Sequence, residues 1–139
     1  ICIKKGLLDR AIDEFTRLAT ISDNEAMAYD YLSALYGVKG EHEKAMQAGL
    51  KALEKDPGLD NARHNLAISY EKLGYLDKAM QTYEDYLLSN PGNIRVHLEV
   101  GYLYYNKGNN QKAEKHWLEA LKVNKNFRPA KEALKLLAD

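Results

Sequence analysis

Cysteine is nearly absent from these 139 residues: Cys2 stands alone, so no internal disulfide can form and no cysteine-based metal site can be assembled. Such a chain suits a reducing compartment such as the cytoplasm, without requiring one. Net charge is lacking too. Its 20 basic and 20 acidic side chains cancel to +0, which removes the overall field that draws a protein onto nucleic acid or an anionic membrane. No apolar run approaches the roughly 18 residues of a membrane span, so neither nucleic-acid binding nor membrane insertion is expected.

Catalytic patterns are equally scarce. His42, His64, His97 and His116 are scattered, no two of them stand at i and i+4 on one helix, and no cluster of acids accompanies any of them. They are read as surface or repeat-packing residues. Ser22, Ser33, Ser69 and Ser89 have no nucleophile context, and Gly37 to Lys44 lacks the spacing and the lysine-hydroxyl pair of a phosphate loop. No metal, cofactor or catalytic residue is assigned, and the chain is expected not to be an enzyme.

What is present is a period. Gly74 falls on Gly40 and Gly108 under a shift of 34 residues, and a further step back reaches Gly6; Lys78-Ala79 falls likewise on Lys44-Ala45, Lys112-Ala113 and Arg10-Ala11. A fixed period of this size implies a stacked array whose units bury their faces against their neighbours. The sequence therefore divides into a partial repeat over 1–25, complete repeats over 26–59, 60–93 and 94–127, and a closing helix over 128–139 that caps the array.

In the partial repeat, Gly6 is expected to separate the tail of one helix from a second, Leu8 to about Ala19. There Leu8, Ala11, Ile12, Phe15, Leu18 and Ala19 form one apolar stripe. Cys2 takes the place of Tyr36, Tyr70 and Tyr104. The chain opens at Ile1 in mid-pattern, as a piece of a longer array would, and Leu8, Ile12 and Phe15 are expected to need cover. A second chain could supply it, so self-association through this end is a possibility.

In the complete repeats, glycine just past the first helix can adopt a left-handed conformation at no steric cost. Asp56-Pro57-Gly58 and Asn90-Pro91-Gly92 are turn signals that stop the second helix. Asp60 is expected to cap its helix, and Asp9, Glu43 and Asp77 to meet the positive end of the second helices. Two helices of about a dozen residues pack closely only where small residues let the backbones approach. Ser33, Ala67 and Gly101 serve that approach on the first helices, and Ala11, Ala45, Ala79 and Ala113 on the second. Phe15, Tyr83 and Trp117 then fill the wider space, whereas Gly49 at the same place leaves an aromatic-sized gap for a neighbour to fill or for closer helices to remove. In the closing helix, Pro129 is tolerated in the first turn, and Ala130, Leu134, Leu137 and Ala138 are expected to face the array.

The set Leu66, Ala67, Tyr70, Gly74, Ala79, Tyr83 and Pro91, with its flanking copies, resembles the tetratricopeptide repeat. Gly49, Tyr86, Arg63, His97 and Lys125 depart from that pattern. The resemblance implies an all-α fold, a right-handed superhelical array of antiparallel helix pairs (an α-solenoid). It also implies a non-catalytic scaffold that binds a peptide or helix of a partner protein in the concave groove lined by the first helices. The groove positions it implies are Met27, Asp30, Tyr31 and Ala34, then Asn61, His64, Asn65 and Ile68, then Arg95, Leu98, Glu99, Tyr102 and Tyr105. Amides such as Asn65 can satisfy a peptide group, and Tyr102 and Tyr105 offer flat area with a polar tip; in the blander alternative, these positions are merely solvated and Tyr102 packs on its neighbour. Family members that clamp a terminal carboxylate of chaperone tails use Lys and Asn, then Asn, then Lys and Arg. Here Asp30, Ala34, Asn65, Arg95 and Glu99 stand at those places, and the two acids would repel a carboxylate, so no such clamp is expected. A related RNA-binding array has a period nearer 35 and more basic charge. The rival function is the recruiting arm of a larger enzyme, such as a transferase.

Overall fold

A computed structural model describes the backbone of residues 2–21 and 23–138 and the side chains of 5–21 and 23–138. Expectations for the Cys2 side chain and for Ser22 lie outside them. Among the described residues eight helices follow in order: α1 (Cys2–Ile21), α2 (Glu25–Lys39), α3 (His42–Lys55), α4 (Asp60–Lys72), α5 (Leu76–Ser89), α6 (Ile94–Asn106), α7 (Asn110–Val123) and α8 (Arg128–Lys135). No strand occurs among the described residues, and no helix there is long and apolar enough to cross a membrane. The fold class is the all-α solenoid of helical hairpins. The chain divides into two compact units, 1–82 and 83–139, with the boundary inside α5.

Three hairpins close in the same way. Gly40, Gly74 and Gly108 have φ of +86°, +85° and +86°. In each, the amide after the glycine donates back to a tyrosine carbonyl: Glu41 to Tyr36 at 2.9 Å, Tyr75 to Tyr70 at 2.8 Å and Asn109 to Tyr104 at 2.8 Å. The glycine's own amide reaches the carbonyl three residues back. This pair of bonds is the Schellman motif, which satisfies the last carbonyls of the helix. Each of the three tyrosine rings also lies under a lysine ammonium from the next helix, Lys44, Lys78 or Lys112, at 5.7, 5.7 and 5.1 Å.

Gly6 behaves otherwise, correcting the expected break: α1 runs straight through it, and it has no positive φ. A left-handed glycine is needed where a helix must double back on a partner. The antiparallel neighbour of α1 lies at its other end, in α2, so Gly6 keeps the helical conformation. Asp9 then lies in the interior of α1 rather than in a first turn. Its carboxylate instead meets Lys39 Nζ at 2.7 Å, which pulls it below the usual carboxylate range and raises Lys39. Glu43 and Asp77 do lie in first turns.

In the first unit, α2 packs against α1, α3 and α4. Ile12, Leu32 and Ala48 make a core to which Phe15, Tyr29, Leu35 and Tyr36 add partly buried area. The Ser33 hydroxyl is buried and donates to Ala45 O at 2.9 Å. The expected gap at Gly49 is absent, because a Cβ there would meet Ser33 Oγ at 3.3 Å and Leu66 Cβ at 3.5 Å. Both expected remedies operate: Leu66 fills the space, and the serine allows close approach. Asp60 is the first residue of α4 rather than its cap, which is Leu59 with no side-chain bond. The Asp60 carboxylate accepts from Arg63 at 3.2 Å instead.

In the second unit, Ala113, Trp117, Ala120, Ala130 and Ala133 form the buried centre. Trp117 is 0% exposed because Gly101 has no side chain: a Cβ there would fall within 2.6 Å of Trp117 Cδ1. The indole N–H donates to Leu98 O at 3.2 Å. Tyr86, a large residue in a usually small place, is buried, and its hydroxyl accepts from Asn93 Nδ2 at 2.9 Å. The true caps are Asn93 and Asn109, accepting from the amides of Val96 and Lys112. Lys125 is no defect at its turn, since Asn124 Oδ1 accepts from the Asn126 amide at 3.0 Å, just as Asp56 accepts from Gly58 at 2.9 Å. Helix α8 ends at Lys135, short of the stretch 128–139 assigned to the closing helix. Ala133 is buried with Ala130, whereas Ala138 is exposed.

Candidate functional site

The positions expected to line a groove fall in both units, and each set is described within its own unit. In the first unit, Tyr31 is 48% exposed and stacks on Phe15 with centroids 4.9 Å apart. Asn61 is exposed, while His64, Asn65 and Ile68 are half-buried one and two turns further along α4. The structure joins Asn65 to Asp30, with Nδ2 donating to Oδ1 at 3.4 Å. Asp30 is only 6% exposed; burial pushes its carboxyl up, and the Asn65 bond opposes the rise. Burial likewise lowers His64. Asn65 therefore spends part of its hydrogen-bonding capacity inside the protein.

In the second unit, Arg95 and Glu99 are exposed on α6, four residues apart and so on one face. Tyr102 and Tyr105 follow on that helix, half-buried. Tyr102 meets Trp117 edge-on at 5.2 Å and 64°, and Tyr105 tilts over the same indole at 6.0 Å and 44°. Each ring thus packs on Trp117 and keeps part of its surface open. Leu98, earlier on the same helix, is half-buried and packs against the Trp117 core.

The scattered histidines are a correction. Among them, His97 and His116 are buried and in contact, Nδ1 to Nδ1 at 3.0 Å. His97 Nε2 reaches Pro91 O at 2.8 Å, and His116 Nε2 reaches Glu84 Oε1 at 2.7 Å. The Tyr104 ring lies parallel to His116 at 5.7 Å. Sequence spacing could not show this, because the two histidines lie 19 residues apart on the facing helices α6 and α7. Arg63, at the equivalent position one repeat earlier, donates to Pro57 O at 2.6 Å as His97 does to Pro91 O. Among the described residues, no group of three His, Cys, Asp or Glu is placed to hold a metal ion.

Comparison with known proteins follows the same lines. Two tetratricopeptide repeat family models match, one over residues 39–98 and the other over 94–127. The anaphase-promoting complex subunit CDC16 of Saccharomyces cerevisiae is 29% identical over 135 residues, 92% of this chain and 16% of that protein. The peroxisomal targeting signal receptor of Candida glabrata is 32% identical over 73 residues, 52% of this chain and 12% of that protein. The chain therefore spans less than a fifth of these curated relatives. Among solved structures, MamA superposes with a TM-score of 0.81 at 27% identity, over 88% of this chain and 72% of that one. YrrB, described as a tetratricopeptide repeat protein with an unusual peptide-binding site, gives 0.80 at 21% identity, over 96% and 69%, a likeness of fold alone. The matched models and the three left-handed glycines on one 34-residue period agree: this chain belongs to the tetratricopeptide repeat family.

Proposed function

We propose that the chain is a non-catalytic protein-interaction module that receives an extended peptide or a helix of a partner protein on the faces of its first helices, α2, α4 and α6. Family membership supports a protein-interaction scaffold. The observation that carries the finer reading is the exposed pair Arg95 and Glu99 beside the half-open rings of Tyr102 and Tyr105. Packing uses one side of those rings and leaves the other open beside the two exposed side chains. A preformed helix face also loses little ordering entropy on binding. Because the chain matches under a fifth of its curated relatives, the same module would serve equally as the recruiting arm of a longer protein, an enzyme included.

The test is capture of partners by the wild-type chain and by Asn61→Ala and the charge-reversed pair Arg95→Glu with Glu99→Arg. These side chains are exposed, so the helical spectrum should stay unchanged while a partner is lost. Retention of every partner by both variants would move the site off these faces. Tight binding of an acidic carboxy-terminal peptide through Arg95 would overturn the expectation that no carboxylate clamp is formed.

A second reading, self-association, rests on one observation in the first unit. Leu18, Met27 and Tyr31 are 42%, 40% and 48% exposed along one groove between α1 and α2. The residues first expected to need cover have it in part: Ile12 is buried and Phe15 lies against Tyr31. A second copy docking there would give a concentration-dependent sedimentation coefficient that Leu18→Asp abolishes. A strictly monomeric wild type at high concentration would end the idea.

A further inference from the structure

Three contacts in the second unit have no role in the proposed binding face: Glu84 with His116, His116 with His97, and His97 with Pro91 O. Each demands one hydrogen, and the chemistry of the ends decides where those hydrogens sit. The Pro91 carbonyl can only accept, so His97 Nε2 carries a proton. At the other end, the contact with His116 lowers Glu84 from its ordinary 4.5, so its carboxylate too can only accept and His116 Nε2 carries a proton. Between the two buried rings Nδ1 faces Nδ1 at 3.0 Å, so one of the two donates and the other accepts. The pair therefore holds three N–H hydrogens, one more than two neutral rings carry.

We propose that the second unit contains a hydrogen-bond row from the Glu84 carboxylate through the His116–His97 pair to Pro91 O, in which the two rings share three N–H hydrogens and so one positive charge. This row ties the α6–α7 hairpin to the preceding turn within a limited range of pH. A fourth hydrogen on the pair would set two N–H groups against each other at the 3.0 Å contact. Loss of one of the three would set two lone pairs against each other there, or a lone pair against the carboxylate. Either change opens the row.

The groups around it are accounted for element by element. From α5 comes Glu84. From α6 comes Tyr104, whose hydroxyl is raised by burial and by Glu84. From α7 come Lys112 and Lys115, acting on Glu84, and Glu119, acting on His97. The charges of α8, Arg128, Lys131, Glu132 and Lys135, are exposed. The sign of the pH response follows. His97 sits below its unfolded value, so its stabilisation is present above 6.5 and drains as pH falls through the lowered folded value; Glu84 adds a second loss below 4.5.

The test is nitrogen-15 spectroscopy of the histidine rings in the whole chain near pH 7. The expected pattern is a protonated Nε2 on both rings and one hydrogen held between the two Nδ1 atoms. Glu84→Gln should leave the pair with two N–H hydrogens, because the amide can donate to His116 Nε2, while the hairpin stays folded. His97→Phe should flatten the fall in unfolding midpoint between about pH 7 and about pH 5. Only two N–H hydrogens on the wild-type pair, a bare Nε2 on either ring, or signals of the pair unmoved by Glu84→Gln would each overturn the proposal. Displacement of both Nδ1 signals by added zinc would replace the row with a metal site. Should Glu84→Gln fail to fold, the wild-type spectrum alone decides.

Discussion

Gly101 and Trp117 illustrate how one residue's absence of side chain sets another's position. The indole occupies the volume that a methyl group at 101 would need, with Cδ1 only 2.6 Å from that point, and α6 backbone rather than a flexible side chain forms the other wall. Gly101→Ala should destabilise the chain by about 2 to 3 kcal/mol, as overpacking of a dense core does, measured by urea unfolding with the native tryptophan signal as a check on the fold. A change below about 0.5 kcal/mol would mean that the indole can swing aside at no cost. Asp30 gives a prediction of opposite sign. Its carboxyl is raised by burial, so ionising it opposes folding: its favourable contribution exists at acid pH and is lost as pH climbs through the folded value. Asp30→Asn keeps an acceptor for Asn65 and should stabilise the chain at neutral pH, the gain fading on acidification. If the gain were equal at both pH values, burial of charge would not be its source.

The helices and their turns were the most legible level, and the reason is steric. A left-handed turn all but demands glycine, and a close crossing demands small residues, so Gly40, Gly74, Gly108, Ala45, Ala79 and Ala113 expose the hairpin plan in sequence alone. Gly6 carries the same letter without the same geometry, because residue type permits a left-handed turn but only a returning partner helix enforces it. The two glycines should respond oppositely to alanine. Gly6→Ala adds a helix former in helical backbone and should stabilise by about 0.4 to 1 kcal/mol, whereas Gly74→Ala forces a Cβ into φ +85° and should cost about 1 to 2 kcal/mol. Thermal unfolding of the two variants settles the comparison, and a matching loss at both would restore the turn at Gly6. Illegible were contacts fixed by three-dimensional neighbours rather than by period: the caps at Asn93 and Asn109, the turn at Asn124, and the row of Glu84, His116 and His97. The positions of the proposed binding face were legible as places on a helix. Their chemistry was not, since Asn65 is partly engaged by Asp30 and both Tyr102 and Tyr105 rest on Trp117.

At the scale of the whole molecule, stability in a repeat array is a sum of local terms and neighbour terms, so the two units need not open together. The chain has one tryptophan, and it sits at the centre of the second unit with none of its surface in contact with water. Its emission therefore speaks for residues 83–139 alone, while the helical circular dichroism signal averages over the helices of both units. Superimposable denaturation curves from the two signals would mean that both units open in one cooperative step; separated midpoints would mean that one unit opens first. The same buried ring that leaves no room for a methyl group at position 101 is a built-in fluorescent gauge of half the protein, available without any label.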